Sequence, residues 1–183
     1  MKKKIGIVYS TVDGHTLKIC NAIARYLQTK GNTVGIFPLG YFNQTITEFD
    51  IFVIGASIRH GKHRKEVEKF MDTHQKEMEQ ILTGIFSFNL VARKEEKNSV
   101  LTNPYFIKFI KSREWQPDVI DVFAGYLNYS MYSFVDRIMI QLIMKISKGP
   151  TQSDTVIEYT DWNKVRSFSK KLISEDKDLK SIQ

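Results

Sequence analysis

The fold class this sequence predicts is an open, doubly wound α/β sheet of five parallel strands in the order 2-1-3-4-5. Three observations predict it. The runs Ile5-Gly6-Ile7-Val8-Tyr9 and Ile51-Phe52-Val53-Ile54-Gly55-Ala56 are apolar without polar alternation, the mark of strands buried on both faces and hence of a parallel sheet. Segments with helical periodicity separate these runs from each other and from later ones, as right-handed βαβ units require. The first strand ends in hydroxyls and a glycine and runs straight into a helix, which is how such sheets build a ligand site outside their strand ends. At 183 residues the chain is long enough to bury one core without disulfides or metals, so one domain spanning 1–183 is expected.

In chain order, the first helix is expected over 16–30, with Ile19, Ile23 and Leu27 on one face and Gly31-Asn32 ending it. Strand 2 covers 33–38, and a loop or weak helix around Tyr41 and Phe42 leads into strand 3. The segment Ser57-Ile58-Arg59-His60-Gly61-Lys62-His63 reads as a loop, followed by a helix over 64–80 with Val67, Phe70, Met71, His74 and Met78 on one side. Strand 4 is the apolar run 84–90; a helix over 105–112 ends at Trp115-Gln116-Pro117; strand 5 covers 119–125. The last helix begins at Asp161, a residue suited to cap it. Residues 126–155 break the alternation and form an insert near strand 5, because they are richer in apolar and aromatic side chains than a connecting loop.

Ser10-Thr11-Val12-Asp13-Gly14-His15-Thr16 joins the first strand to the first helix. Free backbone N–H groups and the positive end of a helix dipole coincide there, which makes an anion site. Ser10, Thr11 and Thr16 add hydroxyl donors, Gly14 permits positive φ or a close backbone approach, and His15 is expected to contribute its N–H. Neither G-x-x-x-x-G-K-[ST] nor G-x-G-x-x-G is present, so a Walker loop and a dinucleotide fold are disfavoured. The loop resembles the flavodoxin phosphate loop [ST]-x-T-G-x-T, with Asp13 where that pattern has threonine and one residue added before it.

Formal charge is +7 with a pI near 9.4, which favours anionic partners such as nucleic acid, lipid headgroups or carboxylate-bearing substrates. No basic-aromatic RNA signature or zinc-finger spacing appears, so nucleic acid is not expected as a partner, and no metal site is expected either. The lone Cys20 lies among Ile19, Ala22 and Ile23; it reads as a small buried hydrophobe in a reducing compartment.

Gly55-Ala56-Ser57-Ile58-Arg59-His60-Gly61, Asn89-Leu90-Val91-Ala92-Arg93-Lys94, Asp136-Arg137-Ile138-Met139-Ile140 with Leu142-Ile143-Met144-Lys145, and Tyr159-Thr160-Asp161-Trp162 together span nearly the whole chain. They resemble the bacterial flavodoxin-like protoporphyrinogen oxidases, quinone-dependent protoporphyrinogen IX dehydrogenases of haem biosynthesis. The resemblance implies an FMN enzyme that oxidises protoporphyrinogen IX to protoporphyrin IX. It also implies transfer of electrons to membrane menaquinone or ubiquinone from a peripheral position on the cytoplasmic, inner-membrane surface. It would place the FMN phosphate on Ser10 to Thr16 and flank the ring with Ser57, Ile58, Arg59 and Gly61 on one side and Asn89, Leu90, Val91, Ala92 and Arg93 on the other.

Within that frame His60 and His63 are candidates for proton transfer, the alternative being solvated loop histidines. Arg59, Arg93 and Lys94 could pair with propionates, and Tyr126 could face a porphyrin. Ser133 and Asp136 begin a helix whose polar residues Arg137, Gln141 and Lys145 form one stripe; Phe134, Ile138, Leu142, Ile143 and their neighbours make the rest apolar. At about fifteen residues it is too short to span a bilayer, which needs about twenty. The homes left are a membrane interface with Arg137 and Lys145 snorkelling, a second copy of the chain in a homo-oligomer, or the protein's own core. The rival readings are a flavin-dependent NAD(P)H:quinone reductase, an electron-transfer flavodoxin, and a flavin-free membrane-docking module.

Overall fold

The computed structural model describes residues 2–59, 61–146 and 149–174. Its main sheet contains five parallel strands: β1 (Lys4–Ser10), then α1 (His15–Thr29) and β2 (Thr33–Pro38); β3 (Ile51–Arg59), which turns back into the two-residue β4 (Lys62–His63); α2 (Lys65–Thr73), α3 (Gln75–Met78) and β5 (Leu82–Asn89); and α4 (Pro104–Lys111) and β6 (Val119–Ala124). The order β2-β1-β3-β5-β6 is the expected one, with β4 hydrogen-bonded antiparallel to β3 off the main path. The registers Ser10↔Ala56, Ser57↔Phe88 and Asn89↔Ala124 align the carboxyl ends of β1, β3, β5 and β6 at one edge.

Continuous apolar strands bury both faces of this sheet. On one, Ile7, Val53 and Phe86 pack beneath Ile19, Ile23 and Leu27 of α1. Phe168 and Leu172 of α6 (Trp162–Ser174) belong to the same cluster. On the other face Phe52, Ile54, Ile85 and Val122 meet Phe70 and Met71 of α2 and Phe106 and Phe109 of α4. Asn103 Oδ1 caps α4 by accepting from Phe106 N at 3.2 Å, and Asp161 Oδ1 accepts from Asn163 N at 2.9 Å before α6. Gly31, at φ +84°, follows the end of α1 as expected.

The structure corrects two expectations. Residues 57–59 are not loop: β3 runs through Arg59 because Ile58 and Arg59 pair with His63 and Lys62 across a turn in which Gly61 adopts φ +74°. The helix over 64–80 is broken at His74, whose Nδ1–H donates to Glu77 Oε2 (2.7 Å) and whose ring packs on Phe70, so it ends α2 and starts α3.

The insert is a second, small assembly. β7 (Tyr126–Asn128) and β8 (Val156–Glu158) form an antiparallel ribbon, and α5 (Phe134–Ile146) lies between them in sequence. The helix of about fifteen residues expected from Ser133 would end at Ser147, which lies outside the described residues. Leu127, Tyr129 and Met144 form a separate buried cluster with Leu90 and Tyr159 against it. Tyr129 donates to the Pro150 carbonyl at 2.7 Å and Tyr132 to that of Tyr126 at 3.2 Å. Ser133 Oγ accepts from Asp136 N at 3.2 Å, the start signal expected for α5.

Candidate functional site

The carboxyl edge of the sheet opens into a cavity of about 430 Å³. Its floor comes from the β1–α1 loop through Thr11, Val12, Asp13, His15 and Thr16. One wall is the end of β3 with Ser57, Ile58, Arg59 and Gly61, and another is Asn89, Leu90, Val91 and Arg93 after β5. The insert closes the rest with Tyr126, Tyr132, Asp136, Met139, Ile140 and Ile143.

The floor has the features of an anion site. Gly14 occupies the N-cap position of α1 at φ +76°, so no side chain caps the helix, and the first turn contains no acidic residue. The N–H groups there keep their partial positive charge for an anion. The Thr16 hydroxyl is fully buried without a hydrogen-bond partner, and so is Asn89 Nδ2 across the cavity. A buried polar group without a partner costs about 1–3 kcal/mol, which a ligand atom would recover. Phosphate at the helix start and a heteroaromatic edge near Asn89 fit these two donors.

The sequence candidates divide once placed. Ser10 does not offer its hydroxyl to the loop; it donates to Glu66 Oε1 at 2.6 Å. Ala92 is buried with its N–H on Asn89 Oδ1 at 3.0 Å, and neither Ala92 nor Lys94 lines the cavity. His63 is not a proton-transfer group: its Nε2 is 2.9 Å from Ser87 Oγ, its ring is 4.0 Å from that of Phe109, and it lies outside the cavity wall. Burial and the nearby Arg113 charge push its pKa down to about 4. His60 lies outside the described residues. Arg59 is not open to a substrate carboxylate as expected, since it donates to Asp13 Oδ1 at 3.3 Å and to Asp136 Oδ2 at 2.5 Å. Arg93 lines the wall with its Nη1 on the Leu90 carbonyl at 3.3 Å.

His15 contributes more than its N–H. Its ring is stacked between Phe88 (4.9 Å) and Tyr126 (5.1 Å), and its Nε2 lies 3.0 Å from Thr160 Oγ1. Thr160 donates its hydroxyl proton to Ala124 O at 3.1 Å, so it accepts from His15 Nε2–H. Burial lowers the pKa of His15, against the pull of Glu158, and the ring is neutral at pH 7. It thereby ties the β1–α1 loop to the insert ribbon. Tyr105, Phe88, Asp136 and Met139 also line the cavity without having been sequence candidates. Tyr105 reaches the site because α4 crosses beside Gly61, whose absent Cβ would lie 3.1 Å from its ring; no local pattern signals such a crossing.

In α5 the polar stripe turns inward. Arg137 Nε donates to Tyr129 O at 3.1 Å and Gln141 Nε2 to Thr151 O at 2.8 Å, so Arg137 does not snorkel outward. The apolar side is left in solvent: Phe134 is 75 %, Ile138 51 % and Leu142 58 % exposed. Among the described residues no helix is long and apolar enough to cross a membrane.

Comparison with known proteins agrees with this geometry. Residues 6–154 match the family described as Flavodoxin domain. A protein named Protoporphyrinogen IX dehydrogenase [quinone] from Leishmania major is 39 % identical over 165 residues, 89 % of this chain and 71 % of that one. One of the same name from Escherichia coli K12 is 37 % identical over 167 residues, covering 91 % and 92 %. Among solved structures, a short-chain flavodoxin associated with a non-canonical PDU bacterial microcompartment aligns over 95 % of this chain and 98 % of its own, with TM-score 0.56 and 14 % identity. A Streptococcus pneumoniae TIGR4 flavodoxin aligns over 93 % and 98 % with TM-score 0.52 and 14 % identity. The chain therefore belongs to the flavodoxin-domain family and is an oxidoreductase, homologous over nine-tenths of its length to proteins named Protoporphyrinogen IX dehydrogenase [quinone].

Proposed function

We propose that this chain binds FMN and oxidises protoporphyrinogen IX to protoporphyrin IX for haem biosynthesis, delivering the electrons to a quinone at the inner-membrane surface. One observation carries the reading: α5 is at once a wall of the cavity and the most exposed apolar face of the molecule. Met139, Ile140 and Ile143 line the cavity, while Phe134, Ile138, Leu142 and Ile146 point away from the protein. A bilayer that covers the outer side would therefore bring a lipid-embedded headgroup to the cavity rim.

The residues divide the work by chemistry. FMN, when bound, supplies the two-electron acceptor that such an oxidation needs. The α1 N-terminus, Thr11 and Thr16 hold its phosphate, and Asn89 Nδ2 gives its unmatched donor to the ring edge. Ile58, Val91, Tyr132, Met139 and Ile140 give a largely apolar chamber that keeps water from a reduced centre. Arg93 faces the same chamber and is assigned the contact with a substrate carboxylate; Tyr126 lines the wall beside it.

The test is anaerobic mixing of the purified, FMN-loaded protein with protoporphyrinogen IX, followed in the visible spectrum. Bleaching of the flavin band, then recovery on addition of a quinone, is the expected result. Bleaching by NAD(P)H but not by the porphyrinogen would favour the NAD(P)H:quinone reductase instead.

A further inference from the structure

The β1–α1 loop places a carboxylate, Asp13, in a loop whose other groups suit a phosphate. Two unit charges of like sign a few ångströms apart oppose each other strongly in a half-buried site. Asp13 is met by one guanidinium, that of Arg59, at 3.3 Å. Arg59 is shared: its other terminal nitrogen is 2.5 Å from Asp136 in the first turn of α5. Burial alone would lower the pKa of that guanidinium; the Asp136 hydrogen bond and the Asp13 charge more than offset it and hold the proton firmly. Among the described residues, neither Lys18 nor Arg64 pairs with Asp13. Lys18 is paired with Glu158 at 2.7 Å, and Arg64 donates to the Thr11 carbonyl while lying 3.2 Å from Glu66. Tyr132, from the insert, is near enough for the Asp13 charge to add to burial in pushing its hydroxyl up to about 12.

We infer that Arg59 is a charge clasp shared between the phosphate loop and α5, so that flavin-phosphate affinity and closure of the insert compete for one guanidinium. A phosphate arriving beside Asp13 draws Arg59 toward the loop and away from Asp136. By linkage, whatever weakens the Asp136 contact strengthens phosphate binding by the same factor. Arg59 is thus a positioning residue for the cofactor and the insert, and not a substrate ligand. The inference rests on the FMN reading above.

The experiment compares FMN with riboflavin, which lacks the phosphate, by quenching of flavin fluorescence on the apo-protein. The ratio of the two affinities isolates the phosphate contribution, and a general loosening of the fold lowers both affinities without changing it. Arg59→Met should reduce the FMN-to-riboflavin ratio about tenfold, the size of one partly screened charge interaction. Asp13→Asn added to Arg59→Met should restore it. Asp136→Asn, and Asp13→Asn alone, should each raise the ratio severalfold. A ratio unchanged in Arg59→Met, or lowered in Asp136→Asn, overturns the clasp while leaving the FMN reading intact. If the wild-type protein binds neither flavin, both fall together.

Discussion

Thr16 and His63 show how a single side chain acquires its role from its partners. The Thr16 hydroxyl is buried and unmatched at the start of α1, next to Gly14 in the left-handed region. Thr16→Val keeps the shape and removes the donor. If it meets a charged phosphate oxygen, about 1.5–3 kcal/mol is lost, so FMN affinity should fall roughly tenfold to a hundredfold; fluorescence titration with unchanged circular dichroism checks this. His63 holds the opposite position, with its hydrogen bond satisfied by Ser87 and its folded pKa, about 4, below the ordinary 6.5. Between those values the unfolded chain binds the proton and the folded one does not, so stability rises with pH across that window and is lost as pH falls through it. The full difference is about 3 kcal/mol at 1.36 per unit. His63→Gln, which can still bond Ser87, should flatten the dependence of unfolding free energy on pH between 4 and 6.5; a denaturation series at several pH values reads it. Both roles were half-visible beforehand. The place of the β1–α1 loop in the cavity floor was legible because its signal is local, a strand end followed by hydroxyls and glycine. His63 was misread as a site residue because β3 continues past Ser57 and folds back at Gly61, a choice made by long-range pairing and not by its neighbours. Arg93, in the same wall, has its own test: Arg93→Ala should raise KM for the porphyrinogen about tenfold or more with FMN affinity unchanged, if it makes the carboxylate contact proposed for it.

At the scale of elements, α5 is apolar on two sides, one toward the cavity and the Met144 cluster and one toward solvent. Its spacing alone specifies an apolar cylinder with one polar stripe, and it leaves open which side meets the protein. The structure decides it through backbone carbonyls: Arg137 Nε donates to Tyr129 O and Gln141 Nε2 to Thr151 O, which holds these two polar side chains against the insert. Tyr129 follows β7 and Thr151 lies between α5 and β8; the pairing of these two three-residue strands across the insert is long-range and leaves no mark in periodicity. With Arg137 and Gln141 held inward, the docking proposed above would cover the outward face with lipid. Each large side chain fully buried contributes about 1.5–3 kcal/mol, so even half-burial of Phe134, Ile138 and Leu142 outweighs the modest cost of desolvating Lys145 at the helix end. Changing those three residues to glutamate should abolish co-sedimentation with neutral lipid vesicles while leaving FMN binding intact, since none of the three lines the cavity. Persistence of binding to neutral vesicles would send the docking role elsewhere, and a concentration-dependent shift in sedimentation of the wild-type chain without lipid would assign the face to a second copy.

For the whole molecule, the strand order brings the phosphate loop, the end of β3 and the loop after β5 to one edge, and the insert, which departs from β6, crosses back over that edge. Alternating apolar strands and helices were enough to specify this sheet; the cavity roof was not foreseeable, because it depends on how the ribbon packs against His15, Leu90 and Tyr159. Charge is distributed as unevenly as hydropathy. Neither α1 nor α6 contains an acidic residue, and they present Lys18, Arg25, Arg166, Lys170 and Lys171, whereas in α2 and α3 Glu66, Glu68, Asp72 and Glu77 nearly balance Lys65, Lys69 and Lys76. With a formal charge of +7, the docking proposed above would include attraction to an anionic bilayer over the screening length, about 10 Å at 0.1 M salt and 3 Å at 1 M. The two attractions answer differently to salt, because burial of the α5 face is not screened. Vesicles containing anionic lipid should therefore bind the wild-type chain more weakly at 1 M salt than at 0.1 M but still measurably. The α5 triple-glutamate variant should retain a weaker binding at 0.1 M salt that disappears at 1 M. Neutral vesicles should bind the wild-type chain equally at both salt concentrations. Loss of all wild-type binding at 1 M would mean that charge alone holds the protein at the surface and that the exposed face of α5 does not enter the lipid.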